Sequence, residues 1–237
     1  MAFDSKTFRT RTLTAIVFVI VMLTGLLWNR WSFIILFTVI HFGCWYEFVK
    51  LVKKINPVSY KLISLSGLFY LTLPVVLLLY MRLETSITSD DNFSKVLPCG
   101  IIFSIWINDT MAYIVGSLIG KTPLSKISPK KTWEGTIGGA LLAILIIGFL
   151  GRVVSFDSIQ HPFPGITNVV NSFMYFIVAA ICAIFGTFGD LFESKLKRMA
   201  NVKDSGTLMP GHGGFLDRFD SLLVATPFVA LYYFLFI

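Results

Sequence analysis

Residues 189–221 read Gly189-Asp-Leu-Phe-Glu-Ser-Lys-Leu-Lys-Arg198, then Met199-Ala-Asn-Val-Lys-Asp-Ser-Gly-Thr-Leu-Met209, then Pro210-Gly-His-Gly-Gly-Phe-Leu-Asp-Arg-Phe-Asp-Ser221. Five acidic side chains, five basic ones and a histidine fall within these 33 residues. Apolar runs at 169–189 and 219–237 border the stretch on both sides. Each run is close to the ~20 residues that cross a bilayer as a helix. The pattern therefore reads as two membrane helices joined by a charged connection at a membrane surface. Charges so close to lipid are costly and are retained mostly for function.

The rest of the chain agrees. Of its 237 residues 55% are hydrophobic, 23 are Phe, and the mean hydropathy is +0.77. Only 14% are charged, where a soluble domain carries roughly a quarter. Helices and closed barrels alone satisfy their backbone in lipid, and the alternating ten-residue segments of a barrel are absent. The fold class is all-α, a polytopic integral membrane protein of about seven transmembrane helices, with room for as many as nine. The predicted spans are 13–28, 31–49, 62–81 with a bend near Pro74, 96–119, 136–156, 169–189 and 219–237. Asn29-Arg30 makes a tight turn between the first two. Residues 1–237 form a single membrane domain: 1–95 are N-terminal helices and 96–237 bear the motifs. The N-terminus has the basic flank of a signal peptide but no small-residue cleavage site, so its apolar run reads as a retained helix.

The net charge of +7 follows topology and not nucleic acid. With the N-terminus in the cytoplasm, 16 Lys and Arg residues fall on the cytoplasmic side and four (Arg30, Arg82, Lys95, Arg152) on the other. That asymmetry is the positive-inside signal, and it places both polar loops, 121–131 and 190–218, in the cytoplasm. Cys44, Cys99 and Cys182 are far apart and form neither a disulfide framework nor a metal cluster. His41 and His161 stand alone and read as a packing and a surface residue.

Four features carry chemistry. Asp190, Glu193, Ser194 and Lys197 share one helix face by their spacing, and Asp217, Asp220 and Ser221 open the next helix. Asp190, Asp217 and Asp220 are the metal-ligand candidates, because Mg2+ takes one or two carboxylates with substrate phosphates completing its shell. Interfacial salt bridges, Asp190 with Lys197 for example, are the alternative. The Pro210–Gly214 turn can bring main-chain N–H groups of Gly211, Gly213 and Gly214 against a phosphate, with His212 as a donor or a loop-shaping residue. The nearby cations Lys197, Arg198 and Lys203 suit an anionic ligand or lipid headgroups. In the fourth span Asp109 is either a site residue or a structural partner for Arg152. Gly116 to Lys121 has three residues between its glycines where a P-loop needs four, so Gly116, Gly120, Gly135 and Gly139 read as helix-packing positions. Ser128-Pro-Lys-Lys-Thr-Trp-Glu-Gly135 offers Ser128 and the cations Lys130 and Lys131 at the mouth of the fifth helix.

Ser194-Lys-Leu-Lys-Arg198, Lys203-Asp204-Ser-Gly206, Pro210-Gly-His-Gly-Gly214 and Asp217-Arg-Phe-Asp220, with Asp109, Ala112-Tyr113, Gly116 and Ser128-Pro129 upstream, resemble the signature of the phosphatidate cytidylyltransferases, the CDP-diacylglycerol synthases. The motifs cover roughly the last 130 residues. Lys130 stands where many members carry a small residue, so Lys131 is the position carried over. The resemblance implies a nucleotidyltransferase of phospholipid biosynthesis that joins CTP and phosphatidate into CDP-diacylglycerol and pyrophosphate. It implies Asp190, Asp217, Asp220 and Lys131 as catalytic residues. The implied substrate-binding set is Asp109, Ser128, Lys197, Arg198, Lys203, Asp204, Gly211, His212, Gly213, Gly214 and Arg218. It further implies Mg2+, room for a second, monovalent ion such as K+, and a homodimer in a lipid bilayer, the bacterial inner membrane, with a cytoplasmic-facing site. Two alternatives stay open: CTP-dependent transfer to another lipid phosphate, and transport of an anionic lipid.

Overall fold

A computed structural model of the chain describes the backbone of residues 5–88, 91–158, 167–207 and 213–236, and side chains within 12–84, 96–151, 173–207 and 213–236. Among these residues the chain is helical, and its β features are isolated bridge positions: Pro123 paired with Thr132, and Gly213. The helices are α1 (Ser5–Leu27), α2 (Arg30–Ile55), α3 (Tyr60–Ser64), a π-helical turn (Leu68–Thr72), α4 (Leu73–Thr88), α5 (Asp91–Ile119), α6 (Trp133–Ser158), α7 (Thr167–Met199) and α8 (Leu216–Phe236). Six stretches are long and apolar enough to cross a membrane, and Thr12–Leu27 is a shorter apolar helix. Large apolar side chains such as Ile20, Phe69, Leu141 and Phe149 point outward, on a scale that water would not tolerate but lipid does. The protein is an all-α polytopic membrane protein.

Every predicted span has its helix, and the differences lie at the ends. Backbone hydrogen bonding does not stop where hydrocarbon compatibility does, so α7 runs past residue 189 to Met199 and carries the basic stretch with it. Likewise α2 continues through Lys50, Lys53 and Lys54. The α1–α2 turn is fixed by a reciprocal cap: Asn29 Oδ1 accepts from Ser32 N, and Ser32 Oγ accepts from Asn29 N. Just before Pro74, where a bend was predicted, the helix takes a π-helical turn, next to a proline that offers no N–H to the preceding turn. Trp45 Nε1 donates to Thr72 Oγ1 at 3.1 Å and ties this turn to α2.

Two close helix approaches position the site. A Cβ on Gly135 or Gly139 of α6 would collide with the Ala112 backbone of α5, and one on Gly135 also with Gly116 Cα. The small-residue reading of these glycines therefore holds. On the other side, a Cβ on Gly189 would meet the carbonyl of Asp220 and the Cα of Ser221, which is how α7 and α8 approach closely enough for their acidic faces to meet.

Candidate active site

The last turns of α7 present Asp190, Glu193 and Lys197 along one face, as the spacing requires. Asn201, at φ 54°, ends the helix in the left-handed conformation common just beyond a C-cap. Lys197 pairs with Glu193 on its own helix and with Asp217 Oδ1 of α8 at 2.6 Å. Asp217 Oδ2 accepts from Gly214 N at 2.8 Å and from Ser205 N at 2.9 Å, and lies 2.8 Å from Ser205 Oγ. Gly213, at φ +84°, packs its Cα toward the same carboxylate, where no side chain would fit.

Asp190, Glu193 and Asp220 offer carboxylate oxygens that all lie within 4.8 Å of one another. The sequence grouped Asp190 and Asp220 with Asp217. The structure puts Glu193 in the third place, while Asp217 spends both oxygens on Lys197 and the loop. Glu193 is fully buried and its Oε1 has no hydrogen-bond partner. Ionised carboxylates this close repel by roughly 3–4 kcal/mol per pair at an effective dielectric of about 20. Lys131, paired with Asp190, and Lys197 offset part of that repulsion. The hard oxygens and surplus negative charge of the trio fit a divalent cation.

Beside this trio a polar cavity of about 460 Å³ opens between α5, α6 and α7. Asp109, Ser128, Lys130, Lys131 and Asp190 line it, with Thr187 on the α7 wall. Residues predicted separately in the fourth span, the following loop and the sixth span are thus brought to one place. The loop itself is built around Glu134, whose carboxylate accepts from the N–H groups of Lys121 and Thr122 at 3.2 Å. Thr132 Oγ1 accepts from Gly135 N at 3.1 Å and caps α6. No strand precedes the loop among the described residues, so the rejection of a P-loop stands.

Arg198, Lys203, Asp204 and Arg218 are exposed on the outer side of this region and do not line the cavity. Pro210, Gly211 and His212 lie outside the described residues, as do His161 and the side chain of Arg152. His41 packs against Phe42 and Trp45, and the three cysteines are buried and not joined in disulfides.

Three further residues were missed by sequence reasoning. Glu47 of α2 is buried and accepts from Ser205 Oγ at 2.7 Å and Leu216 N at 2.9 Å. Tyr70, in the π-helical turn, packs edge-on to Phe192 with its hydroxyl buried and unpartnered, within electrostatic reach of Asp220, Glu193 and Asp190. The signal for Glu47 was present, since it is a lone carboxylate inside an apolar span. Ser205 stood inside the Lys203–Gly206 motif without being singled out, and Tyr70 carried no signal.

The Cytidylyltransferase family matches residues 73–236, which contain the cavity and the carboxylate trio. A phosphatidate cytidylyltransferase of Rickettsia felis is 34% identical over 228 residues, covering 96% of this chain and 92% of its own. That of Rickettsia typhi is 32% identical over the same share of each. The Thermotoga maritima enzyme of that name is 44% identical over 128 residues, 54% of this chain and 45% of its own. A family match across most of the chain, and relatives similar along nearly all of it, lead to one conclusion: the chain belongs to the cytidylyltransferase family.

Proposed function

We propose that the chain transfers the cytidylyl group of CTP to phosphatidate, giving CDP-diacylglycerol and pyrophosphate, at the cavity between α5, α6 and α7. The observation that carries this reading is the juxtaposition of a lysine-lined cavity with a buried carboxylate trio, the two meeting at the Lys131–Asp190 pair. A lipid phosphate oxygen forms a bond to the α-phosphorus of CTP, and the bond from that phosphorus to the β-phosphate bridging oxygen breaks. The acceptor phosphate is itself the nucleophile, so no nucleophilic side chain is required.

Such a transfer needs in-line positioning and charge neutralisation. Lys131, oriented by Asp190, neutralises triphosphate charge and stabilises the departing pyrophosphate, and Lys130 adds a second cation on the same wall. Asp190, Glu193 and Asp220 would hold Mg2+, which when bound supplies charge neutralisation at the phosphates. Lys197 holds Asp217, and through it the start of α8, against α7. Asp109 and Ser128 line the same cavity as substrate contacts.

The distribution of Lys and Arg supports a site facing the cytoplasm, and the similarity to bacterial proteins supports an inner-membrane location. The homodimer and the monovalent ion rest on the family resemblance. The test uses purified protein in detergent with Mg2+, labelled CTP and phosphatidate, following label in lipid. Label in lipid with phosphatidate supports the reading, label only with another lipid phosphate changes the acceptor, and no label from folded protein refutes it.

A further inference from the structure

Glu47 sits in the middle of an aromatic and aliphatic run, Trp45-Tyr-Glu-Phe-Val49, and is 3% exposed. An ionisable group buried in a membrane helix is costly to keep, and the reaction above makes no use of it. It also precedes residue 73, where the family match begins. Its contacts state what it does. Glu47 Oε2 accepts from Ser205 Oγ and from Leu216 N, reaching 158 and 169 residues along the chain. Leu216 N is the first N–H of α8, a donor the helix itself cannot satisfy, and a carboxylate is favourable at that end. Ser205 lies between Glu47 and Asp217: its Oγ is 2.7 Å from one carboxylate and 2.8 Å from the other.

The surroundings are cut to fit. A Cβ on Gly206 would fall on Glu47 Oε1, and one on Gly214 would fall on both carboxylate oxygens. Neither glycine is at positive φ, so close approach and not backbone freedom requires them. Both described parts of the connection between α7 and α8 are therefore shaped around a side chain from α2.

We infer that Glu47 is a positioning residue: by clamping Ser205 and the start of α8 it sets Asp217 against Lys197 and Asp220 against Asp190 and Glu193. The inference rests on the cytidylyl-transfer reading for its kinetic consequence, but the clamping itself does not. Glu47→Ala removes the acceptor. The half-saturating Mg2+ concentration rises, and kcat/KM falls, by about 10–100-fold, the range typical of residues that orient metal ligands. Glu47→Gln keeps an oxygen able to accept both bonds and stays within about fivefold of the parent.

The deciding experiment compares parent, Glu47→Ala, Glu47→Gln and Gly214→Ala full-length proteins in detergent. It measures Mg2+ dependence, kcat against KM, and backbone hydrogen exchange at 203–207 and 213–216. Exchange there should rise about tenfold or more in Glu47→Ala and Gly214→Ala, with α6 unchanged, as a local opening requires. Gly214→Ala reaches the same contact from the loop side, so the test survives if Glu47→Ala fails to fold. Parent-like exchange and Mg2+ dependence in folded Glu47→Ala or Gly214→Ala would overturn the inference. So would equal losses in the Ala and Gln variants with Mg2+ dependence unmoved. A parent that does not turn over refutes the function reading, and loop exchange then still decides the clamp.

Discussion

Asp190 belongs to two groups at once, paired with Lys131 across the cavity and within 4.8 Å of Glu193 and Asp220. Removing the cation at this junction, Lys131→Ala, should lower kcat/KM by roughly 10²–10³-fold, the scale of losing one preorganised transition-state donor. Lys131→Arg should not restore it, because a planar guanidinium does not replace a compact ammonium in a fitted pair. Asp220→Asn and Glu193→Gln should raise the Mg2+ concentration needed for half-maximal turnover. Asp217→Asn should lower kcat with a smaller change in Mg2+ dependence, because its carboxylate is engaged by Lys197 and the loop. A Mg2+ titration of the three variants checks this, and an Asp217→Asn curve shifted as far as that of Asp220→Asn would return Asp217 to the ion. That Asp190 and Lys197 lie along one face of α7 was legible, because helical spacing reports which residues of a helix share a face. That Glu193 lies with Asp190 and Asp220 while Asp217 meets Lys197 was not, since spacing along each helix says nothing of how α8 is rotated against α7.

At the scale of elements, hydropathy reports where a helix is compatible with hydrocarbon and leaves open where its hydrogen bonding ends. Hence the order of the spans was readable while the extension of α7 to Met199 was not. The glycines of α5 and α6 were readable as packing positions, and they carry a stability prediction. Gly139→Leu, forced against the Ala112 backbone, should destabilise by about 1–3 kcal/mol and shift α5, with Asp109 in the cavity wall, lowering activity as well. Thermal unfolding in detergent alongside turnover checks it, and an unchanged midpoint would contradict the packing. Lys197→Met should leave Glu193 and Asp217 without their shared cation and cost roughly 3–5 kcal/mol, read from the same unfolding measurement.

Across the whole molecule, the C-terminal ends of α2, α5 and α7 and the N-terminal ends of α6 and α8 meet at one end of the bundle, joined through Glu47–Ser205 and Lys131–Asp190. The N-terminal part was readable only as apolar spans, yet it supplies Glu47 to the motif-bearing part. Long-range partners of this kind leave no local pattern in a sequence. If the positive-inside count sets the orientation, single cysteines replacing Lys54 or Lys203 will react with an impermeant maleimide only from the cytoplasmic side, while buried Cys44, Cys99 and Cys182 stay silent. Labelling from the opposite side would invert the topology. The most direct measurement is incorporation of label from CTP into phosphatidate by the purified protein, with pyrophosphate counted in parallel. Mg2+-dependent, one-to-one formation of CDP-diacylglycerol and pyrophosphate, lost in Asp190→Asn, is the predicted result; folded protein that forms neither, or turnover untouched by a chelator or by Asp190→Asn, would contradict it.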